Sequence, residues 1–296
     1  PFFMHKLKLQ QDKDFWRGSF DAMASPCEVL MEVTDEKLAH KILRAVSDEA
    51  WRIEKKFSRY RSGNIIFKIN HANGKAVRVD DETARLIEFS IQLYQLSDGL
   101  FDITSGVLRR VWKFDGSDRV PQPAEVESIL SRIGWQKVSW QNQKITLQPG
   151  MEIDLGGVGK EYAVDRCVQI AANLTAQSVL INFGGDLATT GPRAGNGYWS
   201  VGRQITGLEN TVALFQLRKG AIATSGDAHR YLLKDGIRYS HVLNPKTGWP
   251  VSGAPHTVSI SAATCIEAGM LSTLAMLQGD KAEQFLKLQD VDYWLN

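Results

Sequence analysis

The sequence predicts an α+β (mixed α/β) fold, with antiparallel-rich sheets interleaved with long helices in two lobes. Three observations carry that expectation. Short strand-like stretches follow one another across tight turns such as Lys234-Asp235-Gly236, which is the pattern of hairpins. Long stretches with apolar residues at helical spacing lie between them. Neither a strand–helix–strand repeat nor a fixed sequence period organises the chain, so strands and helices mix without a solenoid.

Each element has its own justification. "CEVLMEVTD", Cys27 to Asp35, alternates and reads as a strand. "EKLAHKILRAVSDEAWRIEKKFS" is a long amphipathic helix that ends before the turn "RYRSGN". "DETARLIEFSIQLYQLSDG" is a second helix, stopped by Asp98-Gly99, and "PAEVESILSRIG" a third, opening with proline in its first turn. "KVSWQNQKITLQPGMEIDLG" reads as a hairpin leading into another strand, followed by the helix "KEYAVDRCVQIAANL". Four strand-rich stretches come next: "SVLINFGGDLATTG", "YWSVGRQI", "TVALFQLRKGAIATSG" and "HRYLLKDGIRYSHVLNP". Hairpin turns are expected at Lys219-Gly220 and at Lys234-Asp235-Gly236. A final long helix begins near Cys265 and stops at Gly279. No linker composition cuts the chain, so 1–296 reads as a single domain with two lobes.

Composition narrows the function classes. The 296 residues are 43% hydrophobic and 23% charged, enough for one large core or two coupled ones. A net charge of +2, with both signs scattered, gives no reason to expect a nucleic-acid partner. Cys27, Cys167 and Cys265 lie far apart without CxxC spacing, so they read as buried apolar residues and not as a zinc site or disulfide framework. No run approaches the roughly 18 apolar residues of a membrane span. The opening "PFFMHKLKLQQDKDFW" lacks the marks of a secretory leader, which leaves two readings, a cytoplasmic protein or one whose leader is not in this chain.

Glycine, carboxylate and hydroxyl residues concentrate in four clusters at expected strand or helix ends. In "FSRYRSGNIIFKIN", Tyr60 and Arg61 leave a helix end, where a tyrosine either stacks on a flat ring or packs the helix. In "SDGLFDITSGVLRRVWKF", Phe101-Asp102 sets an aromatic ring beside a carboxylate at a turn. In "IDLGGVGKEYAVDR", a strand is expected to end in Gly156-Gly157-Val158-Gly159 and a helix to begin at Lys160. That arrangement offers backbone N–H groups and a helix dipole to an anion, or is a plain tight turn. It is neither a Walker A loop, since Glu161 stands where Ser or Thr would follow the lysine, nor a GxGxxG fingerprint. The fourth, "ATSGDAHRYLLKDGIRYSHVLNPKTGWPV", carries Thr224, Ser225, Asp227, His229, Arg230 and His241. A triad of Ser225, His241 and Asp227 can be drawn, but the G-x-S-x-G elbow that would expose the serine is missing. Within the last helix, "CIEAGMLSTLAMLQG", Gly269 costs about 1 kcal/mol relative to alanine and stands one turn before Thr273. Its plain readings are close packing or room for a ligand.

Taken in order, these pieces resemble the ApbE family, the FAD:protein FMN transferases. The matching segments are "AMASPCEV", "SRYRSGNIIFKIN", "GLFDITSGVL", "IDLGGVGKEYAVDR", "INFGGDLATTG", "ATSGD", "YSHVLNPKTGWPV" and "CIEAGMLSTLAML", running from Met23 to about Gly279. The resemblance implies an ApbE-like fold of two lobes around a flavin cleft. It also implies Mg2+-dependent cleavage of the FAD pyrophosphate, with FMN passed to Ser or Thr of a target flavoprotein or redox-pump subunit and AMP released. By the same resemblance Met23, Tyr60, Leu100, Phe101 and Asp102 contact the flavin or its surroundings. Gly157 and Lys160 approach the pyrophosphate, and Thr224, Ser225 and Val242 contact the cofactor. Thr273, Asp227 and His241 are the candidate catalytic residues. Family members are often exported, which points to the cell envelope or periplasm, with a cytoplasmic location left open.

Two positions depart from the family pattern. The last helix of the family reads approximately A-D-x-L-S-T, its Asp and Thr presenting two hard oxygens to Mg2+ together with a carbonyl that here belongs to Gly159. This chain has Gly269 in the Asp position and keeps Thr273. Glu161 replaces the usual glycine after the lysine, and Ser25 stands where Thr is common. Glu267 lies about 200° around the helix from Gly269 and points elsewhere, which leaves Asp227 or Asp154 as carboxylates that could reach in. The readings are therefore a transferase with a rearranged metal site, an FAD-binding relative with weak or lost transfer, or an FAD pyrophosphatase.

Overall fold

The computed structural model describes residues 6–204, 212–226 and 230–296. In chain order its elements are β1 (Lys8–Gln11), β2 (Trp16–Ala22), β3 (Ser25–Met31), α1 (Glu36–Phe57), α2 (Ile65–Asn70), β4 (Val77–Arg78), α3 (Asp81–Leu96) and a 3-10 segment over Ile103–Arg110. There follow α4 (Pro123–Leu130), β5 (Ser139–Gln141), β6 (Lys144–Thr146), α5 (Gly156–Leu174), β7 (Val179–Phe183), β8 (Asp186–Thr189), β9 (Trp199–Gln204) and β10 (Val212–Leu217). The chain closes with β11 (Gly220–Gly226), β12 (Tyr231–Lys234), β13 (Ile237–Ser240), β14 (Thr257–Ala262), α6 (Cys265–Leu277), α7 (Ala282–Lys287) and β15 (Asp292–Leu295). The expected mixture of antiparallel strands and long helices is what forms.

Eight strands make the main sheet, in the order β1-β2-β3-β7-β8-β11-β14-β15. Each bonded pair is antiparallel. Gly184 and Gly185, with φ of 60° and 96°, form the two-residue turn between β7 and β8. Such turns need positive φ to match the right-handed twist of the strands they join. The pleat then sorts side chains by face. Cys27, Val29 and Met31 of β3 join the large core under the helices, whereas Leu30 faces the other way.

The helices α1, α5 and α6 cover the first face. Asp35 caps α1 by accepting a hydrogen bond from Lys37 N, and Ala39, Ile42, Leu43, Val46, Ala50 and Ile53 form its buried stripe. The opposite face is covered by the β9–β10 hairpin, where Trp199, Phe215 and Leu217 pack on Leu30, Leu180 and Ile222. A third cluster joins Leu108, Trp112, Ile129 and Ile133 to Leu232 of β12. All three cysteines are buried and unbridged, as their spacing suggests. No helix among the described residues is long and apolar enough to cross a membrane.

Two expectations fail locally. Residues 151–155 form no strand, and the glycine stretch 156–159 is the first turn of α5, so the helix begins four residues before Lys160. Lys219-Gly220 is not a hairpin turn, because β10 pairs with β9 while β11 pairs with β8 and β14. The chain there passes from one sheet layer to another.

Candidate functional site

The first turn of α5 is organised by Asp154. Its Oδ1 accepts from Gly156 N at 2.9 Å, and its Oδ2 holds Arg59 Nη1 at 2.7 Å. Arg59 Nη2 in turn donates to the Tyr60 hydroxyl at 2.8 Å, which ties the exposed Tyr60 ring to the start of α5. Leu155 O accepts from both Val158 N and Gly159 N. Gly157 N is then the first-turn amide for which the helix supplies no acceptor. Phe101 lies over this glycine, since a Cβ at position 157 would meet its ring at 3.3 Å. Asp154 is therefore committed to Arg59 and to the helix start.

Lys160 reaches the β7–β8 turn. Its Nζ pairs with Asp186 Oδ2 at 2.8 Å, and Asp186 Oδ1 accepts from Thr224 N at 3.1 Å. Burial works hardest against the Lys160 charge, yet the charge and hydrogen bond of Asp186 outweigh it and hold the ammonium above its usual value. Ser25 stands at the same turn: a Cβ on Gly184 would lie 2.7 Å from Ser25 Oγ and 3.6 Å from Lys160 Nζ. The next side chain, Glu161, turns toward α6. Burial first, and then the Asp186 charge, push its carboxyl well above the usual carboxylate range.

The helix α6 meets α5 side by side, running the other way. Asp165 accepts from Cys265 N and Ile266 N at 2.8 and 2.9 Å, and one turn further along each helix Glu161 lies against Gly269. Three hydroxyls gather beyond this point. Ser272 Oγ donates to Gly269 O at 3.0 Å. Ser225 Oγ lies 2.7 Å from Ser272 Oγ and 3.3 Å from Thr273 Oγ1, while Thr224 Oγ1 bonds Ser259 Oγ at 2.7 Å.

The remaining sequence candidates sit around this group. Met23 and Leu100 are half-buried at turns and pack on the main core. Asp102 faces inward: its carboxylate accepts from Thr104 N, Thr104 Oγ1 and Trp135 N at 2.8, 2.7 and 3.0 Å, so it shapes the loop that carries Phe101. Val242 packs on the main core while Leu243 packs on the Trp112 cluster, which puts the segment from His241 to Asn244 at the seam between them. His241 Nδ1 lies 3.1 Å from Arg230 O. A carbonyl only accepts, so Nδ1 carries the hydrogen of that bond. Asp227 lies outside the described residues.

A hollow of about 790 Å³ opens beside Tyr60 at the end of α1, with Arg52, Lys55, Lys56 and Arg61 in its wall. Its wall includes none of Lys160, Gly269 or Thr273, so this hollow is separate from the cluster on α5 and α6. The partners the sequence did not single out are Arg59, Asp165 and Asp186. Only Asp186 left a local trace, as the carboxylate after the Gly184-Gly185 turn.

A profile of the ApbE family matches residues 23–295. The chain belongs to the ApbE family. Among relatives of known name, the FAD:protein FMN transferase of Salmonella typhimurium (strain LT2) is 29% identical over 261 residues, covering 84% of this chain and 73% of the relative. The protein of the same name from Escherichia coli (strain K12) is 25% identical over 293 residues, covering 95% and 80%. Among solved structures, the ApbE protein of Thermotoga maritima superposes with a TM-score of 0.84 at 30% identity, covering 95% of this chain and 94% of that one. The flavinyl transferase ApbE of Pseudomonas stutzeri shares the fold, with a TM-score of 0.82 at 23% identity over 100% and 92% of the two chains. In this ApbE protein Tyr60, Phe101, Gly157 and Lys160 are linked to one helix start, and Ser225 and Thr273 meet beside the neighbouring helix.

Proposed function

We propose that this protein is an FAD:protein FMN transferase. It binds FAD and passes the FMN part to a Ser or Thr hydroxyl of a target flavoprotein, such as a redox-pump subunit, with AMP as the second product. Support comes from the family match and from the activity that the relatives' names carry. The observation in this chain that carries the reading is Lys160, a cation held by Asp186 beside the glycine-rich first turn of α5. A lysine ammonium beside a helix N-terminus suits a pyrophosphate.

The chemistry follows from those groups. The acceptor hydroxyl oxygen bonds to the phosphorus of the FMN half, the bridging P–O bond breaks, and AMP leaves with that electron pair. Phosphoryl transfer asks the protein mainly for positioning and charge stabilisation. Lys160 and the amide of Gly157 serve the phosphate oxygens, Phe101 and Tyr60 offer ring faces to the flavin, and His241, a catalytic candidate by resemblance, accepts the hydroxyl proton.

Mg2+ belongs to the same reading. The cation takes oxygen ligands, commonly one or two carboxylates completed by phosphate and water. Two oxygens suit that demand, the Thr273 hydroxyl beside Ser225 and the buried Glu161 Oε2 that lacks a partner among the described residues, while the Gly159 carbonyl, a ligand by resemblance, lies in the first turn of α5. Bound there, Mg2+ would offset the charge that builds on the pyrophosphate oxygens. A cell-envelope location is part of the proposal and rests on the resemblance alone.

The test is incubation of the protein with FAD and an acceptor domain, with and without Mg2+, followed by AMP release and acceptor mass. A mass gain of one FMN that depends on Mg2+ is expected. AMP without a gain in acceptor mass would instead mean a pyrophosphatase, and intact FAD would mean a flavin holder.

A further inference from the structure

Gly269 and Glu161 compete for one volume. A Cβ built on Gly269 would lie 2.5 Å from Glu161 Cγ, 2.9 Å from Oε1 and 3.0 Å from Cδ. Contacts that short do not occur between real atoms, so no other residue fits at 269 while Glu161 keeps this place. The glycine is thus a cradle for a carboxylate that arrives from the neighbouring helix.

One oxygen of that carboxylate is left unsatisfied. Among the described residues Glu161 Oε2 has no hydrogen-bond partner, and it is shielded from solvent. An unpaired buried acceptor costs about 1–3 kcal/mol, and a charged one more, so a group left this way asks for a functional explanation. The adjacent Lys160 is committed to Asp186 at 2.8 Å. A glutamate kept only for packing would be better replaced by an apolar residue. A cation brought by the substrate accounts for its presence.

The surroundings supply further oxygens. Ser272 Oγ bonds Gly269 O at 3.0 Å, and Thr273, one helical turn beyond Gly269, holds its hydroxyl at 3.3 Å from Ser225 Oγ. The antiparallel register is set by Asp165 on the first turn of α6, and one turn further along both helices brings Glu161 to Gly269. A further turn leads to Gly157 on α5 and Thr273 on α6.

We propose that Glu161 is the carboxylate ligand of a divalent cation, delivered from α5 into the space that Gly269 leaves open on α6, with the Thr273 hydroxyl as a second oxygen ligand. The inference deepens the transferase reading and rests on it for the phosphate that completes the site. The two departures in the sequence, a carboxylate at 161 and its loss at 269, are then one exchange: the ligand has moved between helices and the cation has stayed.

The test reads metal binding directly. Mn2+ is titrated into the FAD-loaded protein and followed by the electron paramagnetic resonance of free Mn2+, with FAD retention measured in the same samples by flavin fluorescence. The wild-type protein is expected to hold one Mn2+, and Glu161→Gln to weaken it by about tenfold or more. The double variant Glu161→Gly/Gly269→Asp returns a carboxylate to α6 and is expected to recover binding to within a few-fold. Unchanged Mn2+ affinity in a folded Glu161→Gln would overturn the proposal. If that variant fails to fold, Mn2+ anomalous scattering from wild-type crystals grown with FAD decides, since a peak out of reach of the Glu161 carboxylate sinks it. Wild-type protein that keeps FAD but takes no Mn2+ removes this proposal alone, whereas protein that binds neither removes the transferase reading as well.

Discussion

Asp165 and Cys265 join two helices end to flank: the Asp165 carboxylate of α5 receives Cys265 N at 2.8 Å, and its second oxygen receives Ile266 N at 2.9 Å. These two N–H groups open α6 and have no acceptor within their own helix. One side chain thereby caps α6 and sets how far it slides along α5. Asp165→Ala strands both donors and is expected to lower stability by about 2 kcal/mol, whereas Asp165→Asn retains one acceptor and loses about half of that. Thr264 also caps α6, its side chain accepting from Glu267 N; urea unfolding measures the difference, and equal stability of both variants and the wild type would show that Thr264 suffices.

The Lys160–Asp186 pair predicts strong coupling. Asp186 is only 3% exposed, so Lys160→Met leaves a buried charge without its partner and is expected to cost about 3 kcal/mol. Asp186→Asn in that background removes the charge and should recover most of the loss. A thermodynamic cycle over the four proteins checks it, and simple additivity of the two changes would contradict a direct pair.

Glu82 predicts the acid limb of stability. Its carboxylate takes Arg52 Nη1 at 2.9 Å and Nη2 at 2.7 Å, Lys56 Nζ at 2.5 Å and the Tyr162 hydroxyl at 2.7 Å. Arg52 above all, with Lys56 and Tyr162 helping and burial opposing, holds the carboxyl far below its ordinary 4.5. A depressed carboxylate binds fewer protons folded than unfolded, so its contribution is present above about pH 4.5 and is lost as pH falls below it. Glu82→Gln should lower stability at pH 7 by about 1–2 kcal/mol and flatten the decline under acid. Melting curves from pH 3 to 7 would show two parallel acid limbs if the reasoning fails.

The turn after His241 is intolerant of a side chain at Gly248. Its φ is +73°, and a Cβ would lie 2.5 Å from Val126 Cγ1 and 3.0 Å from Leu130 Cδ2, while its carbonyl accepts from Trp112 Nε1 at 2.7 Å. Gly248→Ala combines strained backbone with overpacking and is expected to cost about 2–3 kcal/mol. Thermal unfolding reads it directly. A change within 0.5 kcal/mol of zero would mean that the turn relaxes away from α4.

Lost proton transfer should separate from binding at His241. General-base catalysis contributes about 10²–10⁴-fold, so His241→Gln is expected to slow FMN transfer by about a hundredfold while FAD affinity stays within a few-fold. Parallel measurement of acceptor mass and flavin fluorescence tests this, and a fall in both together would place His241 in binding.

Legibility followed the range of the interaction. The helices α1 and α3 could be read because their buried stripes recur every three or four residues and their ends carry Asp35, Asp80 and the Asp98-Gly99 turn. The glycine stretch 156–159 was misread, because glycine signals a turn and the bonds that make it helical come from Asp154, itself held by Arg59 from a distant segment. Lys219-Gly220 looked like a hairpin because strand-like segments flank it. What separates them is that Trp199, Phe215 and Leu217 hold β9 and β10 on the outer face of the main sheet.

From its sequence alone this chain declared most of its element types, the order of its family motifs and its family, since each of these is written in residues a few positions apart. The same reading showed a carboxylate missing at Gly269 and an unusual one at Glu161, and nothing local connected them. Only the packing of α5 on α6, set by Asp165, brought the two positions into one volume. Helical periodicity relates a residue to its neighbours on the same helix, whereas a contact between helices depends on how two separate faces slide and lock, and that is decided by the folded core.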